Sequence, residues 1–151
     1  MKTQIYFFLK TEIGKKNKFE FSWNRYRIKT NTLKYKLPKQ NFSAFYSYLN
    51  DEFNFGFNIN WKLKSKSEFE RFNDLGELVT YEQDSYQLLN ASLQRNFKQI
   101  NSILKIGFKN IFDVKTINSD IQGGVHDGSE SIISWGRTSF ISLNYYPFRK
   151  N

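Results

Sequence analysis

Residues 53–63 read Phe-Asn-Phe-Gly-Phe-Asn-Ile-Asn-Trp-Lys-Leu, an alternation of apolar and polar residues without exception. Side chains along a strand alternate between its faces. Phe53, Phe55, Phe57, Ile59, Trp61 and Leu63 therefore share one side, and Asn54, Gly56, Asn58, Asn60 and Lys62 the other. Strands of soluble domains usually run about 5–6 residues, whereas about 9–11 tilted residues cross a bilayer core. At about 3.4 Å per residue the stretch reaches roughly 37 Å, and tilted by about 40° it spans roughly 28 Å, close to the height of the apolar band of a membrane barrel. A long strand of a soluble sandwich would alternate in the same way, so this stretch alone leaves both architectures open.

Composition narrows the field. No run approaches 18 consecutive apolar residues, so no transmembrane helix is expected, but a membrane barrel needs no such run because its lipid and lumen faces alternate. Alanine occurs only at Ala44 and Ala91, while 19% of residues are aromatic. That balance favours strands and membrane interfaces over helices. The 151 residues carry no Pro/Gly/Ser-rich linker and are read as one unit spanning 1–151. The N-terminal apolar run stops at five residues with no small-residue cleavage site after it, so it is not read as a signal peptide. A signal and a plug domain are expected upstream, and the chain is expected to be a fragment. The absence of cysteine excludes disulfides and thiolate metal ligands.

A net charge of +9 invites a nucleic-acid reading. The lysines and arginines are spread along the chain without a recognisable nucleic-acid module, however, and no nucleic-acid partner is expected. Between residues 65 and 84 the balance reverses, with Lys66 and Arg71 set against Glu68, Glu70, Asp74, Glu77, Glu82 and Asp84. This segment is expected to form a separate acidic loop.

In order along the chain, strands are expected at 4–13, 19–28, 42–49, 53–63, 85–97, 103–112 and 135–146. In the second, Tyr26 and Ile28 fall out of phase with Phe19, Phe21 and Trp23, as a bulge would produce. Pro38 places a loop or strand end in the polar stretch before the third. In the last two, Leu104, Ile106 and Phe108, then Ile141, Leu143 and Tyr145, form apolar rows. Connections alternate between short (14–17, 50–52, 98–101) and long (29–41, 64–84, 113–134). Outer-membrane barrels segregate short periplasmic turns from long extracellular loops, whereas sandwiches have no reason to do so. The expected fold is therefore all-β, an antiparallel up-and-down transmembrane barrel in the Gram-negative outer membrane. Its lipid-facing row on each side would include Phe53, Phe55, Phe57, Ile59, Trp61, Leu63, Leu104, Ile106, Phe108, Ile141, Leu143 and Tyr145. Phe53, Trp61, Trp135 and Tyr145 would mark interfacial girdles. Seven strands are odd and below the minimum of about eight for a closed bacterial barrel, which favours part of a larger one.

Three segments carry a family resemblance: 88–93 (Leu-Leu-Asn-Ala-Ser-Leu), 107–114 (Gly-Phe-Lys-Asn-Ile-Phe-Asp-Val) and Trp135-Gly136-Arg137-Thr138 with 140–145 (Phe-Ile-Ser-Leu-Asn-Tyr). From Leu88 onward the chain resembles the C-terminus of TonB-dependent outer-membrane receptors of Bacteroidota-like bacteria, with Gly107, Asn110, Phe112, Asp113, Gly136 and Arg137 carrying the motif. The resemblance implies about the last seven strands of a 22-stranded barrel that moves iron chelates, cobalamin or similar scarce nutrients. Its partners would be outer-membrane lipid, the remainder of the barrel and plug, and the TonB system acting through the missing N-terminal part. The family usually ends on an aromatic two residues after the Tyr matched by Tyr145. Here Tyr146-Pro147-Phe148 follow, and Phe148 falls off the alternation.

The single histidine, His126, sits in a Gly-rich stretch with Asp127, near Asp120 and Glu130. His126 and Asp127 are candidates for loop contacts with a ligand. No metal site, cofactor or catalytic group is assigned, since Ser129 and Ser131 lack an elbow motif, and no enzymatic activity is expected. The alternatives are a small self-contained outer-membrane barrel, adhesive or structural, and a soluble basic β-domain that binds nucleic acid or glycan.

Overall fold

The structure, a computed structural model, describes residues 2–28, 33–37, 39–72, 75–118 and 130–147. It is all-β apart from one short turn of 3-10 helix, Lys98–Ile100. Seven strands form an antiparallel sheet in the order β1 (Lys2–Ile13), β2 (Asn17–Ile28), β4 (Lys39–Asn50), β5 (Phe55–Lys64), β8 (Tyr86–Phe97), β9 (Ser102–Lys109) and β12 (Thr138–Tyr145). The remaining strands lie in the long connections. β3 (Leu33–Leu37), β6 (Ser67–Phe72) and β7 (Leu78–Gln83) make one small sheet, and β10 (Thr116–Asn118) pairs with β11 (Glu130–Ile132).

Chain neighbours are sheet neighbours throughout the large sheet, so its connections fall alternately at its two ends. One end has tight turns built from left-handed residues. Gly14 has φ +63°, Asn54 +50° and Asn101 +47°, conformations that glycine and asparagine accept at little cost. Asn50 fixes the middle turn, its Oδ1 accepting the amides of Glu52 at 3.0 Å and Phe53 at 3.3 Å. The opposite end carries all three long connections.

Several expectations are corrected. Phe53 and Asn54 belong to this middle turn, and their alternation with β5 is coincidental with the turn's need for a left-handed Asn54. β2 contains no bulge, because its register against β1 and β4 is unbroken. Tyr26 lies on the polar face, with Arg25 and Arg27 on the opposite one, so the phase change reports the end of the apolar stretch. β4 begins at Lys39, and β12 begins only at Thr138, leaving Trp135 in the preceding loop, 99% exposed. The acidic segment is a hairpin, β6 and β7, held by Phe69 stacked on Tyr81 (5.5 Å between centroids) and by Lys66 paired with Glu82 at 2.6 Å.

Among the described residues the sheet stays open. β1 and β12 each pair on one side, and no 22-stranded barrel is seen. In an antiparallel sheet the first and seventh strands run the same way, so β1 and β12 could meet directly only as a parallel pair.

The register also fixes a stagger. Ile13 and Asn17 close the first hairpin, Asn50 and Phe55 the second, and Phe97 and Ser102 the third. Asn17 faces Tyr48, two residues short of Asn50, and Phe55 faces Arg95, two residues short of Phe97. Each hairpin thus reaches two residues further than the one before, or one residue per strand. With about 3.4 Å per residue and about 4.8 Å between strands, that corresponds to a tilt of about 35°, within the range found in barrels.

Candidate functional site

Register assigns every side chain of the large sheet to a face. One face carries Ile5, Phe7 and Leu9 of β1, Phe19, Phe21 and Trp23 of β2, and Phe42, Ala44, Tyr46 and Tyr48 of β4. It continues with Phe55, Phe57, Ile59, Trp61 and Leu63, then Leu89, Ala91 and Leu93. Leu104, Ile106 and Phe108 of β9, and Ile141, Leu143 and Tyr145 of β12, complete it. Among the described residues nothing packs over this face. The buried apolar side chains are Phe69 and Ile117, both outside the large sheet, whereas Ile141 is 79% exposed and Phe108 53%. A second sheet, as a sandwich requires, is absent from it.

The apolar face is bounded on both sides by polar residues. Arg25, Gln40, Gln87 and Asn110 stand at the long-loop rim, and Asn17, Asn50, Arg95 and Ser102 at the short-turn rim. From Asn17 to Arg25, or from Gln40 to Asn50, the interval along the strand is about 27–34 Å, which at a tilt of about 35° is roughly 22–28 Å in height. The midpoint moves with the stagger. It lies at Phe21 on β2, at Ala91 on β8 and at Ile106 on β9, four residues further along the register than Phe21 across four strands. The band is therefore level in a frame tilted by the angle that the turns define.

Aromatic residues mark both rims through their polar tips. At the long-loop rim the Trp23 indole N–H donates to Gln40 Oε1 at 3.1 Å and that of Trp61 to Gln87 Oε1 at 3.2 Å. At the short-turn rim the Tyr46 hydroxyl donates to Asn17 Oδ1 at 2.6 Å, and Asn50 Nδ2 donates to the Tyr48 hydroxyl at 3.1 Å. Rings point into the band and their polar atoms point out of it, the arrangement that suits a water–hydrocarbon boundary. Of the expected girdle residues, Trp61 and Tyr145 lie at the ends of the band, whereas Phe53 and Trp135 are outside the strands. Sequence reasoning missed Trp23, Tyr46 and Tyr48, whose partners become neighbours only through the register.

The other face is mostly polar, with Tyr6, Phe8, Phe45, Leu88 and Phe140 among its polar side chains. Three hollows of about 400–420 Å³ lie on it, lined mainly by its own side chains. Asn, Ser and Lys dominate, with Ser22 and Ser43 hydrogen-bonded across strands at 2.7 Å. Gly107 lies on this face with no room for a Cβ, which would meet the Ala91 carbonyl oxygen and, at 2.9 Å, the ring of its cross-strand partner Phe140. That ring covers the glycine, and Lys109 Nζ stands 5.5 Å from its centroid.

At the long-loop end of β9 the other motif residues come together. Asn110, 5% exposed and at φ +51°, receives Val114 N on Oδ1 at 3.1 Å. Its Nδ2 donates to Val114 O at 2.7 Å and Ser134 Oγ at 2.6 Å, and its amide donates to Asn90 Oδ1 at 2.8 Å. Asp113 Oδ1 accepts the Arg137 amide at 2.7 Å, and Arg137 Nε donates to Ile111 O at 3.0 Å. The Arg137 amide, with Lys115 and the Arg137 side chain as further causes, holds the Asp113 carboxyl below the usual carboxylate range. Gly136, at φ +89°, leaves the space that this carboxylate occupies, since a Cβ there would stand 2.7 Å from Asp113 Oδ1. Asn110, Asp113, Gly136 and Arg137 are thus structural, forming a clasp that ties the last long loop to the sheet, while Gly107 lies within β9, outside it. Phe112 stays outside it, 47% exposed. His126 and Asp127 lie outside the described residues, as do Asp120 and Phe148. Among the described residues no cluster of His, Asp or Glu could hold a metal ion.

No family model, no curated protein and no solved structure matches this chain.

Proposed function

We propose that this chain forms part of the wall of an outer-membrane β-barrel, with its apolar face against lipid and its polar face toward the lumen. One observation carries the reading: an uncovered apolar band, roughly 22–28 Å high, stays level with the barrel-like stagger of the turns and is rimmed by aromatics whose polar atoms point outward. A soluble basic domain would leave this face in water, where contiguous apolar surface of such extent is rarely tolerated. Self-closure of seven strands would require a parallel seam between β1 and β12, which counts against a small self-contained barrel.

Within this class, the chain acts as the C-terminal part of a TonB-dependent transporter for scarce nutrients such as iron chelates or cobalamin. The support is that Asn110, Asp113, Gly136 and Arg137, four of the residues that carry the sequence resemblance, form one local unit. Expression in a Gram-negative host and membrane fractionation test the wall. The chain should require detergent for dispersal and should resist carbonate extraction, and recovery as a monodisperse species without detergent would refute the reading.

A further inference from the structure

The polar face is unevenly charged. Its strands present Lys2, Lys10, Lys18, Lys39, Lys62, Lys64, Lys105 and Lys109, against Glu12 and Glu20. Both acids are taken at the short-turn end, Glu12 by Lys10 at 3.7 Å and Glu20 by Lys18 at 2.9 Å. Toward the long-loop end Lys39, Lys62 and Lys64 lie close together. Lys64 faces Asn41 on β4, Lys62 faces Ser43, and Lys39 lies two residues from Asn41 on the same face, its pKa lowered first by burial and then by the Lys64 ammonium. None of the three makes an ion pair among the described residues. The neighbouring β6–β7 hairpin and the residue that follows it gather Glu68, Glu82 and Asp84 around Lys66.

Lys62 and Lys64 line a hollow of about 410 Å³ together with Asn24, Tyr26, Asn41 and Tyr86, among others. Its volume suits a small molecule. Lys64 Nζ stands 5.5 Å from the centroid of the Tyr86 ring, so the site combines ammonium groups, amide donors and aromatic faces. Uncompensated like charges in a concavity focus a positive potential.

Resting on the reading of this face as a lumen wall, we infer that the hollow is a binding site for a small oxyanion ligand, one bearing carboxylate or phosphate groups. Lys62 and Lys64 contact the oxyanion, Lys39 adds to the local field, and Asn41 donates hydrogen bonds. The ligand's oxygens replace the carboxylate partners that the fold withholds from these lysines.

The test is equilibrium dialysis of labelled citrate and inorganic phosphate against the full chain refolded in detergent micelles, with the uncharged triethyl ester of citrate as control. Expected are saturable citrate or phosphate binding that weakens with added salt, no binding of the ester, and at least about a tenfold loss of affinity in K62Q/K64Q. Lys10→Gln, on the same face but paired with Glu12, should stay within about twofold of wild type. Non-saturable uptake, or equal affinity in K62Q/K64Q, overturns the inference. If the double variant does not regain the wild-type circular dichroism spectrum, K64Q alone and the wild-type salt dependence decide, and salt-independent binding overturns it. Should the chain need no detergent, the wall reading fails, and the same titration in buffer still decides the anion site.

Discussion

The Trp61 indole N–H donates to the amide oxygen of Gln87, 3.2 Å away on the neighbouring strand. Trp61 is the last aromatic residue of the β5 row, and Gln87 is the second residue of β8, at the polar rim. A ring held in this way belongs at a boundary, and Trp23 with Gln40 repeats the arrangement two strands away.

Depth-dependent quenching should therefore locate both indoles. In a Trp135→Phe background, which removes the loop indole, lipids brominated near the headgroup should quench Trp23 and Trp61 more strongly than lipids brominated near the bilayer centre. Stronger quenching from the centre would contradict the rim assignment, and no lipid quenching would contradict membrane contact altogether.

Facing sets a second expectation. The midpoint of the band on β5 falls at Ile59, one residue along from Asn60, the partner of the β4 midpoint at Phe45. Ile59→Arg should destabilise the lipid-embedded protein by about 2–4 kcal/mol, Phe57→Arg by somewhat less, and Asn58→Arg by little. Unfolding titrations in lipid vesicles measure all three, and equal penalties at positions 58 and 59 would refute the facing.

How much of this was legible beforehand follows from what each feature depends on. The alternation of 55–63 needs no tertiary information, so the strand and its faces could be read from residues alone. The short turns were legible too, through Gly14 and Asn101 and through Asn50-Asp51-Glu52 in the middle one, whereas Asn54 read as a strand residue. Phe53 misled because an apolar turn residue in the right parity looks like a strand residue. The inverted phase at Tyr26 resembled a bulge because the sequence does not say where an apolar band ends. The Trp61–Gln87 and Tyr46–Asn17 pairs, the approach of Lys39 to Lys62 and Lys64, and the Asp113–Arg137 link of the clasp join residues 23 to 29 positions apart, and only register brings them together. The motif residues were found by resemblance, but their role as a clasp was not.

Crowding at Gly107 gives a third prediction. Gly107→Ala should destabilise by about 1–3 kcal/mol, as overpacking typically does. Adding Phe140→Ala should recover only part of that, because the Ala91 carbonyl and, at 2.8 Å, Ser92 Cβ would still crowd the new methyl. Full recovery in the double variant, measured by denaturant unfolding, would show that the ring was the whole obstacle.

The clasp should respond to acid. Because the Arg137 amide lowers the pKa of Asp113 in the folded protein, its contribution is present above the ordinary carboxylate range and is lost as pH falls through the lowered value. Hydrogen exchange at the Arg137 amide should accelerate at the acid end in wild type, relative to the intrinsic rate. Asp113→Ala should show the faster exchange at every pH, and exchange that is the same in both proteins at neutral pH would remove the carboxylate from the clasp.

Closure is the last consequence of the register. β1 and β12 run in the same direction and each leaves one edge of backbone amides and carbonyls unpaired in the described sheet. In hydrocarbon each such group costs several kcal/mol, and an edge of about ten residues exposes roughly five donors and five acceptors. An all-antiparallel closure needs an odd number of strands between β12 and β1, supplied from outside the described residues. Residues 1–151 refolded alone into detergent should therefore associate into higher species, and a fragment that supplies complementary strands should convert them to a single discrete complex. Electrophoresis without heating and light scattering read the outcome. A monodisperse monomer resistant to SDS at room temperature would mean that the seven strands close through a parallel β1–β12 seam, and the chain would then be a small barrel in its own right.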